Sequence, residues 1–243
     1  MSAGDWVAII FAQGEQTRWD EGLSARQKKL RDLPPSKHLI RVKGDFHLIT
    51  RTVYQLLRVG VENIVVMGYP NLLDAVRPAT MMAGEPGINL LHRVYDSRVM
   101  WRDNTLFLLG DVCFSHHAIK TMVNDPDNTS ILMAGRTGAN PLTGRSQGEM
   151  FGLYVDTTRV SPLTLAATVS NAKAIAEDDG RDPKLHDLWA EIKSSELDAA
   201  LFDPDDYTDD IDTLEDYERH WPLMREAAIA DDGATGFYSR PAL

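Results

Sequence analysis

Four short segments carry the residue types that phosphoryl chemistry requires. In FAQGEQTRW, residues 11–19, an apolar run breaks into Gln13, Gly14, Glu15 and Gln16, with Arg18 just beyond. A strand ending in a glycine-bearing turn exposes consecutive backbone N–H groups, which can cradle phosphates or the edge of a base, and Arg18 adds a fixed cation. In PPSKHLIRVKGDF, residues 34–46, two prolines hold the chain extended, and Lys37 follows where a second phosphate contact would be wanted. In TLFLLGDVCF, residues 105–114, an apolar strand ends at Gly110 and Asp111. Ligands of open α/β sheets bind beyond the carboxyl ends of the strands, so Asp111 is a first candidate ligand for magnesium, a hard cation held by one or two carboxylates plus phosphate oxygens. In DDIDTLEDYE, residues 209–218, Asp210 and Asp212 alternate across Ile211 as on one side of an extended segment. Either could complete the metal site, while Thr213 and Asp216 suit a capping box at a helix start.

These segments need elements to hold them in place. Short β-branched runs alternate with helical patterns, the layout of an α/β sheet with crossover helices. Strands are expected at Asp5 to Ala12, Asn63 to Tyr69, Ile88 to Leu91, Thr105 to Leu109, Ser130 to Ala134 and Phe151 to Val155, with a short strand-like HLIRV after Lys37. A helix is expected over Phe46 to Val59, with Ile49, Val53, Leu56 and Leu57 on one face and Gly60 as its stop. Ser115 can cap a helix to Val123, and Leu214 to Ala228 reads as helical after Thr213. Trp19 to Pro35 is polar and basic, and residues 137–149 have the Gly, Asn, Pro and Ser content of a long loop. From Ser161 to Asp198 the pattern is helical and increasingly acidic, and residues 202–213 then concentrate six aspartates.

A chain of 243 residues with 43% hydrophobic content accommodates one large α/β domain. A nucleotide-binding half over residues 1–125 and an acceptor-binding half over 126–243 are expected. The single cysteine, Cys113, excludes an intrachain disulfide, and the apolar run from Trp6 to Ala12 is too short for a membrane span or a secretory leader. A cytoplasmic protein without membrane attachment is expected. The net charge of −11 is uneven: residues 1–60 carry ten basic and six acidic side chains, residues 174–243 six and twenty. That balance argues against a nucleic-acid partner and leaves room for a small anionic ligand at the N-terminal third. His116 and His117 are adjacent and face different ways on a helix, Cys113 packs as a small apolar residue, and Trp101, Trp189 and Trp221 read as packing residues within helices. The Met-rich TMMAG, residues 80–84, reads as filling a core edge.

Taken in order, the four segments resemble the sugar-phosphate nucleotidyltransferase superfamily, whose pattern is a strand, L-A-A-G-x-G-T-R, then P-x-K or S-K before a glycine turn. Here it reads FAQGEQTR and PPSKHLIRVKGD; VENIVVMGY resembles the second strand, LLGD the metal-binding turn and DIDTLEDYE the closing segment. Gln13 and Gln16 replace an alanine and a glycine of the pattern, and a basic insertion separates Arg18 from Lys37. The resemblance implies a GT-A or Rossmann-like α/β fold, a mixed, mostly parallel sheet flanked by helices, and transfer of a nucleotidyl group from a nucleoside triphosphate to a sugar phosphate or similar alcohol phosphate, with magnesium as cofactor and pyrophosphate released. It implies that Ala12, Gln13, Gly14 and Glu15 lie against base and phosphates, Arg18 on the β and γ phosphates, Lys37 on the α-phosphate, and Asp111 with Asp212 or Asp210 on the metal. Glu149 resembles the acid that grips sugar hydroxyls. A homo-oligomer is compatible with it. Two other functions share the general fold: a glycosyltransferase, expected to show D-x-D after the fourth strand where LLGDVCF has one aspartate, and a nucleotide-binding regulator without turnover.

Overall fold

In chain order the elements of the computed structural model are β1 (Trp6–Ala12), β2 (Arg41–Lys43), β3 (Phe46–His47), α1 (Leu48–Arg58), β4 (Ile64–Gly68), β5 (Thr80–Ala83), α2 (Leu90–Asp96), β6 (Asn104–Leu109), β7 (Val112–Cys113), α3 (His116–Asn124), β8 (Ile131–Gly135), β9 (Met150–Asp156), α4 (Pro162–Asp178), α5 (Leu185–Ser194), β10 (Ala199–Phe202), β11 (Asp209–Asp210) and α6 (Leu214–Asp232). The structure describes residues 4–13, 36–43, 46–85, 87–124, 126, 129–144 and 148–232, with side chains to residue 223. Gly14, Glu15 and Arg18 therefore lie outside the described residues.

The main sheet has seven strands in the order β10-β8-β9-β6-β1-β4-β5. β1 pairs in parallel with β4 and β6, and β9 runs antiparallel between β6 and β8. The sheet is thus mixed and mostly parallel, as the sequence leads one to expect. All seven residues of β1 are buried, which an unbroken apolar run achieves only when both faces are covered. Its even residues, Trp6, Ala8, Ile10 and Ala12, join one core with Ile49, Val53 and Leu56 of α1 and Ile119 and Met122 of α3. Its odd residues, Val7, Ile9 and Phe11, join a second core with Leu91 and Val94 of α2, Val169 of α4 and Leu188 of α5. Helices on both faces therefore follow from the two-residue period of the strand.

A third, smaller core lies off the sheet. Ile40, Val42, Leu48, Cys113 and Ile211 pack together, with Leu214, Tyr217 and Trp221 against them. It ties the segment after residue 36 to β7 and β11, which pair antiparallel. α6 begins with the expected capping box: Thr213 N donates to Asp216 Oδ2 at 2.9 Å, and Asp216 N donates to Thr213 Oγ1 at 3.1 Å. Ser115 Oγ caps α3 by accepting from Ala118 N at 2.8 Å.

Some expectations need correction. Ile88 to Leu91 is not a strand: Asn89 Oδ1 accepts from His92 N at 2.8 Å, and that cap starts α2 at Leu90 despite the β-favouring apolar run. The helix expected from Phe46 begins at Leu48, because Phe46 and His47 pair with β2. HLIRV is only partly a strand, since Lys37–Leu39 forms a 3-10 turn under a Ser36 cap. Residues 80–83 of TMMAG form the edge strand β5, whose side chains are mostly exposed instead of filling a core. Trp101 is buried, but it follows a 3-10 turn and is not helical. Among the described residues no helix is long and apolar enough to cross a membrane.

Candidate active site

β1 continues the sheet toward β4 on one side and β6 on the other, and a crevice opens beyond the carboxyl ends of strands at such a switch point. The two ends are held close: Gly110 N donates to Phe11 O at 2.9 Å, and a Cβ on Gly110 would lie 2.9 Å from that of Ala12. Only glycine lets β6 turn here, and Asp111 follows directly. Gln13 stands at the matching end of β1. Both line a cleft of about 540 Å3 that also holds Lys37, Glu149, Asp210, Asp212, Asn89, Arg93, Asp182, Lys184 and His186.

The centre of the cluster is Lys37. Its Nζ lies 2.6 Å from Asp111 Oδ2 and 2.9 Å from Asp212 Oδ1, although the three residues are far apart in sequence. The third core explains the convergence, because Ile40, Cys113 and Ile211 pack beneath the segments that carry Lys37, Asp111 and Asp212. Asp216 fixes the last of these: its Oδ2 accepts from Asp212 N at 3.2 Å as well as from Thr213. Burial alone would lower the Lys37 pKa, but Asp111 and Asp212 reverse this and hold it above the ordinary lysine value. Burial likewise raises the Asp111 carboxyl, and Lys37 more than offsets this, leaving it below the usual carboxylate range. His38 is driven down to about 4 by burial, and its Nδ1 meets Ser36 Oγ at 2.9 Å. The cluster thus sets one cation between two carboxylates, and the neighbouring His38 is uncharged at neutral pH.

Whether this site suits magnesium can be judged from its donors. Two carboxylates converge on one point, and a cation, the Lys37 ammonium, already stands there. Among the described residues no set of three or more His, Cys, Asp or Glu could cage a metal alone. A magnesium ion sharing its shell with substrate phosphates needs no such cage, so the pair fits that ion.

The acidic run before α6 departs from an ordinary solvated face. Arg136 anchors it, donating to the backbone carbonyls of Pro204, Asp206 (3.2 Å) and Thr208 (3.0 Å) while pairing with Asp203 at 3.3 Å. Asp209 accepts from Asn140 Nδ2 at 3.1 Å and from Thr143 Oγ1, inside the protein. Asp210 pairs across the ribbon with Val112 and faces the cleft with Asp212, as their alternation suggests.

Gln13 is buried. Its Nε2 donates to Gly68 O at 3.3 Å, while Oε1 has no partner. A Cβ on Gly84 would fall within 2.1 Å of this amide, so the glycine is what admits the glutamine. Glu149 lines the same cleft, and its carbonyl accepts from Arg136 N at 2.7 Å. Ala12 ends β1 and packs inside. Sequence reasoning missed Arg93, Asp182, Lys184 and His186, which α2 and the approach to α5 bring to the cleft. Arg93 sits between the buried Leu91 and Val94, and a cation set among core positions was the one available signal. Cys113 is buried, and burial pushes its thiol up to about 11, in keeping with a packing role.

The chain matches no protein-family model and no curated protein. Its fold is that of solved nucleotidyltransferases. A nucleotidyl transferase from Methanothermobacter is similar at TM-score 0.63 and 15% identity, over 91% of this chain and 98% of that one. The inositol-1-phosphate CTP transferase from T. maritima is similar at TM-score 0.62 and 15% identity, over 91% and 95%. The CTP:phosphocholine cytidylyltransferase from Streptococcus pneumoniae follows at 0.58 and 15%, over 90% and 99%.

Proposed function

We propose that this nucleotidyltransferase-fold protein moves a nucleoside monophosphate group from a nucleoside triphosphate to a sugar phosphate or similar small alcohol phosphate, releasing pyrophosphate and forming an activated nucleotide conjugate. The observation that carries the reading is the meeting of Lys37, Asp111 and Asp212 on one point beside the end of β1. An acceptor phosphate oxygen attacks the α-phosphorus in line. The bond from that phosphorus to the oxygen bridging to the β-phosphate breaks, and pyrophosphate leaves with the electron pair. The attacking oxygen is already anionic, so no general base is required, and catalysis consists of positioning and charge stabilisation.

Asp111 and Asp212, with Asp210 beside them, would hold magnesium, which when bound neutralises charge on the α-phosphate. Lys37 keeps its proton throughout the neutral range, so it serves as a fixed charge for that phosphate and not as an acid. Gln13, which lines the cleft and whose buried side-chain oxygen has no partner among the described residues, is assigned to reading the base, and Glu149 to acceptor hydroxyls. Arg18, with Gly14 and Glu15, is assigned to the triphosphate by resemblance alone.

The test is pyrophosphate release with a panel of triphosphates and sugar phosphates. Asp111→Asn is expected to lose about a hundredfold to a thousandfold in turnover, the range for one preorganised charge contact, with an unchanged melting profile. Near-normal turnover in that variant would remove Asp111 from the mechanism.

A further inference from the structure

A cation taken out of water is tolerated when carboxylates or several acceptors surround it, and is costly otherwise. Among the described residues four lysine or arginine side chains are more than nine-tenths buried: Lys37 at 5% exposure, Arg51 at 4%, Arg136 at 6% and Arg93 at 8%. Lys37 has two carboxylates. Arg51 donates to Phe114 O and to Tyr207 Oη. Arg136 has three carbonyls and Asp203. Among the described residues the Arg93 guanidinium has no hydrogen bond and no ion pair, and of its nitrogens Nε is enclosed without a partner. Burial pushes its pKa down, and Tyr69 and Asp182 oppose this only from beyond ion-pair distance.

Arg93 lines the cleft of the proposed site. It belongs to α2, and Lys184, which lines the same cleft, caps the start of α5, so these two cations come from different elements than the Lys37 cluster. The cleft also holds Asp182, Glu149 and Asp210, which repel an incoming anion unless a cation offsets them. A planar fork of N–H donors that no described acceptor occupies, opening on the cleft, matches a phosphate or carboxylate bidentately.

We propose that Arg93 is the receptor for an anionic group of the acceptor, a phosphate or a carboxylate, with Lys184 adding positive charge in the same cleft. The assignment to the acceptor rests on the transfer reading; anion binding by Arg93 does not. The triphosphate has its own cation in Lys37, and the second reactant of a transfer between two anions needs one of its own.

The experiment titrates inorganic phosphate, and acetate as the carboxylate arm, into the full-length protein at constant ionic strength, reading melting temperature and the 31P linewidth. Wild type should show a saturable response to at least one of them. Arg93→Met should weaken it by about tenfold or more, the loss of a charge-assisted contact, and Arg93→Lys should fall between. Without added anion Arg93→Met should melt no lower than wild type, since it deletes an uncompensated charge; a merely structural arginine would do the opposite. Undiminished anion binding in Arg93→Met, or its failure to fold, overturns the proposal. Saturating magnesium and nucleoside triphosphates should leave the response in place, and its disappearance would assign Arg93 to the nucleotide instead. Absence of pyrophosphate release with every acceptor would count against the transfer reading and leave the measured anion site standing.

Discussion

Lys37 and Arg93 line one cleft and are buried to a similar degree, yet their surroundings differ. Lys37 reaches two carboxylates at 2.6 and 2.9 Å, and a core of Ile40, Cys113 and Ile211 holds all three segments in place. Arg93 has, among the described residues, no carboxylate within ion-pair distance, and Asp182 acts on it only from farther off. A cation already neutralised inside the fold stabilises that fold and must exchange partners before it can touch a ligand. An uncompensated one weakens the fold and is ready to bind. The contrast separates two ways of holding positive charge in one cleft: one cation is paired with two carboxylates, the other has no such partner within reach.

The first test falls on Arg136, a buried arginine with three carbonyl acceptors and Asp203 as partners. Arg136→Met strands several acceptors and carboxylates around the acidic run, and is expected to cost about 3 to 5 kcal/mol in urea unfolding, whereas Arg93→Met costs nothing. Equal losses at the two positions would erase the distinction. Next comes Lys37 itself. In Lys37→Met the two carboxylates lose their resident cation, so Mn2+ without nucleotide should bind about tenfold more tightly than in wild type by water-proton relaxation. Unchanged or weaker affinity would mean that the ammonium does not compete with a metal for Asp111 and Asp212. A further effect concerns pH. The His38 pKa is depressed to about 4 in the fold against an ordinary 6.5, so its contribution to stability is complete above about 6.5 and is lost as pH falls toward 4. The depressed Asp111 carboxyl acts in the same direction. Thermal melts of wild type should fall across that window, and His38→Gln should flatten the slope; parallel slopes would place the acid sensitivity elsewhere.

Much of this was legible in the residues. β1, β4, β6, β8 and β9 are runs so apolar that only a sheet covered on both faces accommodates them, and the stripe of Ile49, Val53 and Leu56 places α1 against it. Lys37, Asp111 and Asp212 could be named because each follows a local break: a proline pair, a glycine turn and an alternating acid pair. What escaped was set by tertiary context. β5 is a short edge strand with exposed side chains and no alternation to reveal it. Leu90 and Leu91 favour a strand until the Asn89 cap decides otherwise. The acidic run reads as solvated until Arg136, distant in sequence, is seen to hold it. Nothing local distinguishes Arg93 from an arginine with a partner, because lacking a counter-ion is a property of the whole packed structure.

The ribbon between β7 and β11 has a further consequence. A growing polypeptide leaves the ribosome with Lys37 and Asp111 long before residues 209–212 emerge, and the large sheet needs β8, β9 and β10 but not that ribbon. The last carboxylate therefore arrives after most of the scaffold exists. A chain terminated before residue 209 would lack Asp210 and Asp212, the two cleft residues that follow the seven-stranded sheet in sequence.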